Sequence, residues 1–135
     1  MSDPKEISLG NHRIILQDDL VILRLQGIYM PDDFLAVTKH CYGLFDQYPQ
    51  VYILVDISRL NTIPAETRTA WLAWIKGFDK KPPKVAIVGA NFTMRTVITM
   101  MKALRRLMAP STAPTPELFD TEAQALAYFD RFRRN

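Results

Sequence analysis

The sequence predicts a single α/β domain, with a mixed, mostly parallel sheet of about five strands, an N-terminal antiparallel hairpin and four helices. Three observations support this fold class. Short apolar runs alternate with segments of helical periodicity along most of the chain. Two strand-like runs near the N-terminus are separated by only three polar residues. The 135 residues, 48% hydrophobic and 23% charged, fit one globular domain spanning residues 1–135.

The N-terminal hairpin is predicted from residues 13–16 and 20–26. In the second run Leu23 and Leu25 share one face and Arg24 points to the other, as expected for a strand. The polar turn at residues 17–19 is too short to join parallel strands, so the two strands should pair antiparallel.

A first helix is predicted to begin at Pro31, because proline suits the first helical position. Asp32 and Asp33 follow at the positive end of the helix dipole. Apolar side chains recur at helical spacing and should form the buried face: Phe34, Val37, Cys41, Leu44, Phe45 and Tyr48. Cys41 is the only cysteine, so an intrachain disulfide and a multi-cysteine metal site are excluded.

Two central strands are predicted at residues 51–57 and 85–88, adjacent and parallel. The first is apolar on both faces apart from Asp56, as expected for a strand covered on both sides. Between them a helix starts at Pro64 and turns Trp71, Trp74, Ile75 and Phe78 inward. At least one of the two tryptophans should be a buried core residue.

The C-terminal part is predicted to hold a long helix (92–108), an irregular proline-rich loop (109–116), a short strand (117–119) and a last helix (about 121–132). Thr121 and Gln124 have the spacing of a capping box at the start of the last helix.

The long helix combines two stripes of different chemistry. One is apolar and consists of Val97, Met101, Leu104 and Met108, while Arg95, Lys102 and Arg106 share another face. The favoured interpretation is that the apolar stripe packs on the sheet and the basic face is solvated. The alternative is a docking surface for an acidic protein or an anionic membrane.

Two segments carry a family resemblance: residues 55–60, VDISRL, and residues 118–126, LFDTEAQAL. With the element order, they resemble the STAS domain, the module of sulfate transporters and anti-sigma-factor antagonists. The resemblance extends over about residues 13–132. It implies a switch or adaptor module, although lipid-carrier domains share the same broad fold class.

Antagonist members of that family carry a phosphorylatable serine or threonine where the second helix begins. The corresponding stretch here is residues 63–67, with Ala65 or Glu66 at the serine position. The resemblance therefore implies that the usual acceptor is missing, so a serine kinase of the anti-sigma type should leave the protein unmodified. Glu66 could mimic a permanent charge or simply suit a helix start. A shifted alignment would make Thr62 or Thr67 the acceptor.

A ligand site is predicted by position alone, since open α/β sheets bind ligands beyond the carboxyl ends of their strands. The residues offered there are Asp56, Ser58, Thr62, Gly89, Asn91 and Thr93, with Arg95 one helical turn further on. Free backbone N–H groups at the start of the long helix would favour an anionic ligand. Helix capping is the alternative role for these loop residues.

The sequence carries no nucleophile, metal-ligand or nucleotide motif, and His12 and His40 lie in different elements without a recognisable partner. We therefore expect no enzyme activity, metal or cofactor.

Charge is unevenly distributed along the chain. Residues 1–67 contain five Lys and Arg and nine Asp and Glu, whereas residues 68–135 contain twelve Lys and Arg and five Asp and Glu. This asymmetry suits an anionic partner or a self-complementary homodimer contact, although a mixed solvated surface explains it too. Nucleic acid is the weakest alternative and is not an expected partner.

The expected function is a non-catalytic STAS-like module that binds a protein partner in a cytoplasmic signalling system. The alternative is a carrier or sensor of a lipid or other small apolar ligand. The N-terminus lacks the apolar core of a secretory signal, and no run is long enough to span a bilayer. The residues predicted to bind the ligand or partner are Asp56, Ser58, Thr62, Glu66, Asn91, Arg95, Lys102 and Arg106.

Overall fold

The computed structural model describes residues 3–108 and 116–134. Within these residues the strands form one sheet in the order of the sequence. They are β1 (Lys5–Leu9), β2 (His12–Gln17), β3 (Leu20–Ile28), β4 (Tyr52–Thr62), β5 (Lys84–Val88) and β6 (Pro116–Phe119). The helices are α1 (Pro31–Tyr42), α2 (Leu44–Gln47), α3 (Ala65–Lys76), α4 (Phe92–Met108) and α5 (Glu122–Arg133).

The predicted fold class and both predicted strand pairings are confirmed. Strands β2 and β3 pair antiparallel, with Ile14 opposite Leu23. Strands β4 and β5 are adjacent, parallel and central, with Leu54 opposite Ala86. The pairs β3–β4 and β5–β6 are parallel as well.

Two elements were not predicted. Strand β1 pairs antiparallel with β2, so the described sheet has six strands and not about five. It is an edge strand in which Ile7 and Leu9 alternate with exposed polar residues, a short pattern that is weak in sequence. The predicted first helix is interrupted at Gly43, a poor helix former, and continues as the one-turn helix α2.

The sheet separates two apolar cores. Helices α1, α2, α3 and α4 contribute to the larger core on one face, where Ile14, Val21, Val37 and Ile98 are buried. Among the described residues, helix α5 alone covers the other face, where Phe129 is fully buried against Tyr52 at a ring distance of 5.2 Å. The predicted capping box of α5, with Thr121 and Gln124, is present.

The two tryptophans are less buried than predicted. Trp71 and Trp74 are both half-buried, and each packs against the larger core. Their partial exposure follows from the cavity described below, which keeps the inner side of α3 from closing fully on the sheet. The predicted 109–116 loop lies outside the described residues, except for Pro116, which begins β6.

No described helix combines the length and the apolar character needed to cross a membrane.

Candidate functional site

A charged cluster lies where the first parallel strands end. Arg24 on β3 is the register partner of Asp56 on β4, and its Nη1 donates to Asp56 Oδ2 at 2.9 Å. The same guanidinium donates to both oxygens of Glu122, in the first turn of α5, at 3.2 and 3.3 Å. One cation on the sheet is thus held between two carboxylates.

The Asp56 carboxylate remains ionised in this setting. Burial alone would raise its pKa, but the Ser58 N–H at 3.0 Å, the Ser58 hydroxyl at 2.8 Å and Arg24 outweigh burial and lower the pKa. The pKa of Arg24 is raised, mainly by its hydrogen bond to Glu122. Both groups are fixed in their charged forms, which suits a structural ion cluster better than proton transfer.

A polar cleft of about 300 Å³ adjoins this cluster. Its walls include three arginines, with Arg59 and Arg13 beside Arg24. Arg13 is paired with Glu6 across the β1–β2 hairpin, and Arg24 holds two carboxylates. An anion bound by Arg13 or Arg24 would therefore compete with bonds that the protein already makes.

Close packing joins the ends of β4 and β5. Gly89 follows β5 with φ +81°, and a Cβ on it would lie 2.7 Å from Ser58 Cβ and 2.8 Å from the Ser58 backbone. Only glycine fits here, because both the backbone angle and the space exclude a side chain. The predicted proximity of the two strand ends is therefore real.

The predicted anion site at the start of α4 is occupied by the protein itself. Asn91 Oδ1 accepts the Met94 N–H at 2.9 Å and so caps the helix. Arg95 donates to Asp120 at 2.6 Å and to the Ala90 carbonyl at 3.3 Å. The capping role of these residues is thus what the structure shows, and a ligand role stays a prediction.

The remaining predicted site residues lie apart from the charged cluster of Arg24, Asp56 and Glu122. Thr62 and Glu66 are exposed at the end of β4 and the start of α3. Lys102 lies 3.8 Å from Glu117, and Arg106 is exposed one turn further along α4. The eight predicted site residues therefore do not form one pocket.

Thr67 is inaccessible as a phosphate acceptor. Its side chain is 2% exposed, and its hydroxyl donates to the Tyr29 carbonyl at 2.6 Å. This bond ties the first turn of α3 to the end of β3. Ala65, by contrast, is exposed and carries no hydroxyl.

His12 has partners that the sequence did not reveal. Its Nε2 lies 3.2 Å from Asp33 Oδ2, and its Nδ1 accepts the Gln26 N–H at 3.1 Å. Both partners are distant in sequence, so only folding brings them to the imidazole. The buried ring links β2, β3 and α1 and is a structural group.

An apolar cavity of about 160 Å³ lies between the sheet and the helices on the larger core face. The walls come from β3, β4, β5 and β6 and from helices α1, α2, α3 and α4. Among the lining residues are Tyr29, Phe34, Cys41, Val55, Ile57, Trp71, Trp74, Ile87, Ile98 and Met101. Most of these positions were predicted to form a closed core, Trp71 and Trp74 among them, and no sequence signal indicated a cavity.

The cavity wall is uncharged. Burial raises the pKa of the Cys41 thiol to about 12 and raises that of the Tyr29 phenol too, so both stay neutral near pH 7. The hydroxyls of Thr38 and Thr67 already donate to backbone carbonyls at 2.7 and 2.6 Å. A molecule in this space would meet hydrocarbon, aromatic faces and one thiol.

The family model described as SpoIIAA-like matches residues 20–130. The chain belongs to the SpoIIAA-like family. This confirms the predicted resemblance to STAS and anti-sigma-factor-antagonist domains. A comparison with curated proteins found no match.

Solved structures share the fold at low sequence identity. The unphosphorylated anti-sigma factor antagonist SpoIIAA aligns with a TM-score of 0.57 and 14% identity, covering 97% of this chain and 98% of its own. The protein TM1081 aligns with a TM-score of 0.62 and 18% identity, over 97% and 99% of the two chains. An uncharacterised Shewanella loihica PV-4 protein with a SpoIIAA-like fold aligns with a TM-score of 0.54 and 15% identity, covering 93% of this chain and 91% of its own.

Proposed function

We propose that this SpoIIAA-like domain binds a small apolar molecule in the cavity between its sheet and helices, as a carrier or sensor. The observation that carries this proposal is the uncharged cavity of about 160 Å³, walled by aliphatic and aromatic side chains. Protein interiors are close-packed, and voids of this size are few. An apolar pocket with few polar groups is the usual form of a small-molecule site.

The cavity volume limits the ligand. An apolar cavity of about 150 Å³ stays dry and accepts a benzene-sized molecule. The ligand class is therefore a single aromatic ring or a short alkyl chain, unless the helices move apart. Trp71 and Trp74 offer flat faces to such a molecule, and Met101 offers an adaptable one.

The domain acts without catalysis in this proposal. Its best candidate acid–base group, Asp56, is bonded to Ser58 and Arg24 and held ionised. The cavity itself contains no ionised side chain among its walls. Binding and release are thus the chemistry that the geometry supports.

Intrinsic fluorescence tests the proposal directly, because both tryptophans of the chain line the cavity. Toluene and octanoate, as probes of the two ligand shapes, should shift or quench the emission to saturation. Val55→Phe places four more heavy atoms in the cavity and should weaken probe binding at least tenfold. Native mass spectrometry of the purified protein should show a co-purified apolar molecule in part of the population.

Val97→Phe is the matched control. It adds the same volume on α4 at a half-buried position outside the cavity lining, and should leave probe binding unchanged. A wild-type protein whose fluorescence responds to neither probe would contradict the proposal. Equal loss of binding in both variants would do the same, because it would report general loosening of the fold.

A protein partner is the second candidate function, in a cytoplasmic signalling system. It is favoured by the exposed start of α3, where Ala65 and Glu66 face solvent beside Thr62. In this proposal the partner contacts α3 and the adjoining loops. Because Ala65 has no hydroxyl, phosphorylation at this position does not regulate the contact. Glu66→Lys reverses the charge at this surface and should abolish capture of the partner. Arg68→Glu is the control: it reverses a charge two residues further on, on the other side of the helix, and should leave the partner bound.

A further inference from the structure

The polar cleft lies on the face of the sheet that α5 covers, toward the antiparallel edge. Helix α5 packs mainly on β4, β5 and β6, and β1 and β2 form the far edge of the sheet. Arg13 on β2 is the register partner of Arg24 on β3, and Gln26 follows on the same face two residues later. The cleft of about 300 Å³ is bounded by these side chains and by the carboxyl end of β4.

An irregularity in β4 brings Arg59 into this cleft. Arg24 pairs with Asp56 but Gln26 pairs with Arg59, so three steps along β4 match two along β3. A bulge of this kind re-aims the side chains that follow it. With regular pairing Arg59 would share the face of Ile57 and point into the larger core. In the structure Arg59 lines the cleft instead, and the next residue of the strand is buried in the core.

Arg59 brings an unpaired charge to the cleft. Its side chain is exposed, and within residues 3–108 and 116–134 it makes no hydrogen bond or ion pair. The side-chain amides of Asn11 and Gln26 line the same cleft and are also without a partner in these ranges. One guanidinium and two amides are therefore free to bond to a molecule that enters.

The carboxylates around the cleft limit the charge of such a molecule. Arg13 already holds one carboxylate and Arg24 holds two. Among the described cleft walls, Arg59 is thus the positive charge that remains free. A polyanion such as a nucleic acid or a nucleoside triphosphate would meet the three carboxylates, whereas a single acidic group can bond to Arg59 and leave these pairs intact.

The free groups define the class of ligand. A guanidinium offers two parallel N–H donors that match the two oxygens of a carboxylate. A primary amide both donates and accepts, so the amides of Asn11 and Gln26 suit hydroxyl groups beside that carboxylate. The volume of about 300 Å³ is that of a small ligand site.

We propose that the cleft at Arg59 binds a small hydrophilic molecule with one carboxylate and several hydroxyl groups. Arg59 bonds to the carboxylate, and the amides of Asn11 and Gln26 bond to the hydroxyls. The ion cluster around Arg24 stays intact as the floor of the site. This site and the apolar cavity lie on opposite faces of the sheet, so the two proposals are independent.

Titration of the ¹⁵N-labelled full chain with glucuronate, followed by NMR, tests the site. The side-chain N–H signals of Arg59, Asn11 and Gln26 should shift to saturation. Glucose has the same ring without the carboxylate and should bind about tenfold more weakly, because it lacks the bond to a charged group. Arg59→Gln should weaken glucuronate binding about tenfold for the same reason. Arg131→Gln is the matched control, which removes an exposed arginine of α5, and should bind like the wild type.

Release of Arg13 gives a second measurement. Glu6→Gln removes the carboxylate that holds Arg13, and should tighten glucuronate binding about threefold, since an exposed charge contributes modestly. Asp46→Asn removes the same charge beside Lys80, away from the cleft, and should leave the affinity unchanged.

The opposing outcomes are distinct. Absence of a saturable shift in the three side-chain signals overturns the proposal, as does equal glucuronate binding by Arg59→Gln and Arg131→Gln. Inorganic phosphate that binds as tightly as glucuronate overturns it too, because the cleft would then take any small oxyanion. The backbone amide spectrum of Arg59→Gln outside the cleft should match that of the wild type, so that lost binding reports the missing guanidinium and not lost folding.

Discussion

At the scale of single residues, the polar groups of this protein are paired with one another. Arg24 is held by Asp56 and Glu122, and Asp56 by the Ser58 N–H and hydroxyl. Of these groups, Asp56 and Ser58 were predicted to bind a ligand, and in the structure they bond to each other. A buried polar group without a partner is costly, so a fold of this size tends to satisfy its charges internally.

Asp56 gives a prediction for pH dependence. Its pKa in the folded protein lies below the ordinary value of 3.8, so its stabilising effect is present above pH 3.8 and is lost as the pH falls through the folded pKa. Asp56→Asn should therefore lower the free energy of unfolding by about 1–2 kcal/mol at pH 7, discounted for partial exposure. Urea unfolding from pH 7 to pH 3 should show this difference shrink below pH 3.8.

Asp46→Asn is the control for loss of one charge. Asp46 is exposed and pairs with Lys80 on the surface, so its replacement should cost less than about 1 kcal/mol at pH 7. A difference between wild type and Asp56→Asn that stays constant down to pH 3 would show that the carboxylate is not the stabilising group.

At the scale of elements, α3 connects the larger core to residues 63–67, the stretch in which the family resemblance predicts a missing phosphate acceptor. Its first turn is fixed by the Thr67 hydroxyl on the Tyr29 carbonyl, and its last turn buries Ile75 completely. Trp74 packs against Phe34 of α1 and against Phe78 at ring distances of 6.1 and 4.9 Å. The helix is therefore anchored at both ends around the cavity.

The start of α3 should resist phosphorylation. A serine kinase of the anti-sigma type with ATP should leave the intact mass unchanged, because Ala65 has no hydroxyl and the Thr67 hydroxyl is buried. Ala65→Ser restores an exposed acceptor and should gain one phosphate. Addition of phosphate to the wild type at Thr62 would show that the acceptor is shifted by three residues.

At the scale of the whole molecule, the two faces of the sheet are covered by different numbers of helices. Within residues 3–108 and 116–134, four helices contribute to one face and α5 alone covers the other. The larger face contains the cavity, while the α5 face is filled by Phe129 and its aromatic neighbours. Arg133 ties the end of α5 to Asp19 in the β2–β3 turn at 2.9 Å and stacks on Tyr52.

A pair of phenylalanines tests this architecture. Phe129→Ala should lower the free energy of unfolding by about 3–5 kcal/mol, because its fully buried ring is the centre of the α5 core. Phe92→Ala removes the same ring from a position 86% exposed and should change stability by less than about 0.5 kcal/mol. Urea midpoints measure both. Similar losses in the two variants would mean that the Phe92 ring is covered in solution.

The sequence by itself determined the fold class and the order of the elements from β2 to α5, apart from the break at Gly43. The apolar runs at 51–57 and 85–88 predicted two central strands, and the three-residue turn at 17–19 predicted an antiparallel hairpin. Pro31 and the capping box at Thr121 placed two helix starts correctly. These signals are local, since they depend on periodicity, backbone restriction and hydrogen bonds within a few residues.

Tertiary structure alone decided the site. The partners of Arg24 and His12 lie far away along the chain, so no spacing rule could find them. Helical periodicity marked Trp71 and Trp74 as inward but could not say whether the space before them is filled. The buried face of α4 was predicted wrongly. Leu104, expected to pack on the sheet, is 41% exposed, whereas Met94 and Ile98 are buried in the core. Periodicity identifies an apolar face, but only packing against the sheet decides which face is buried and which is left exposed.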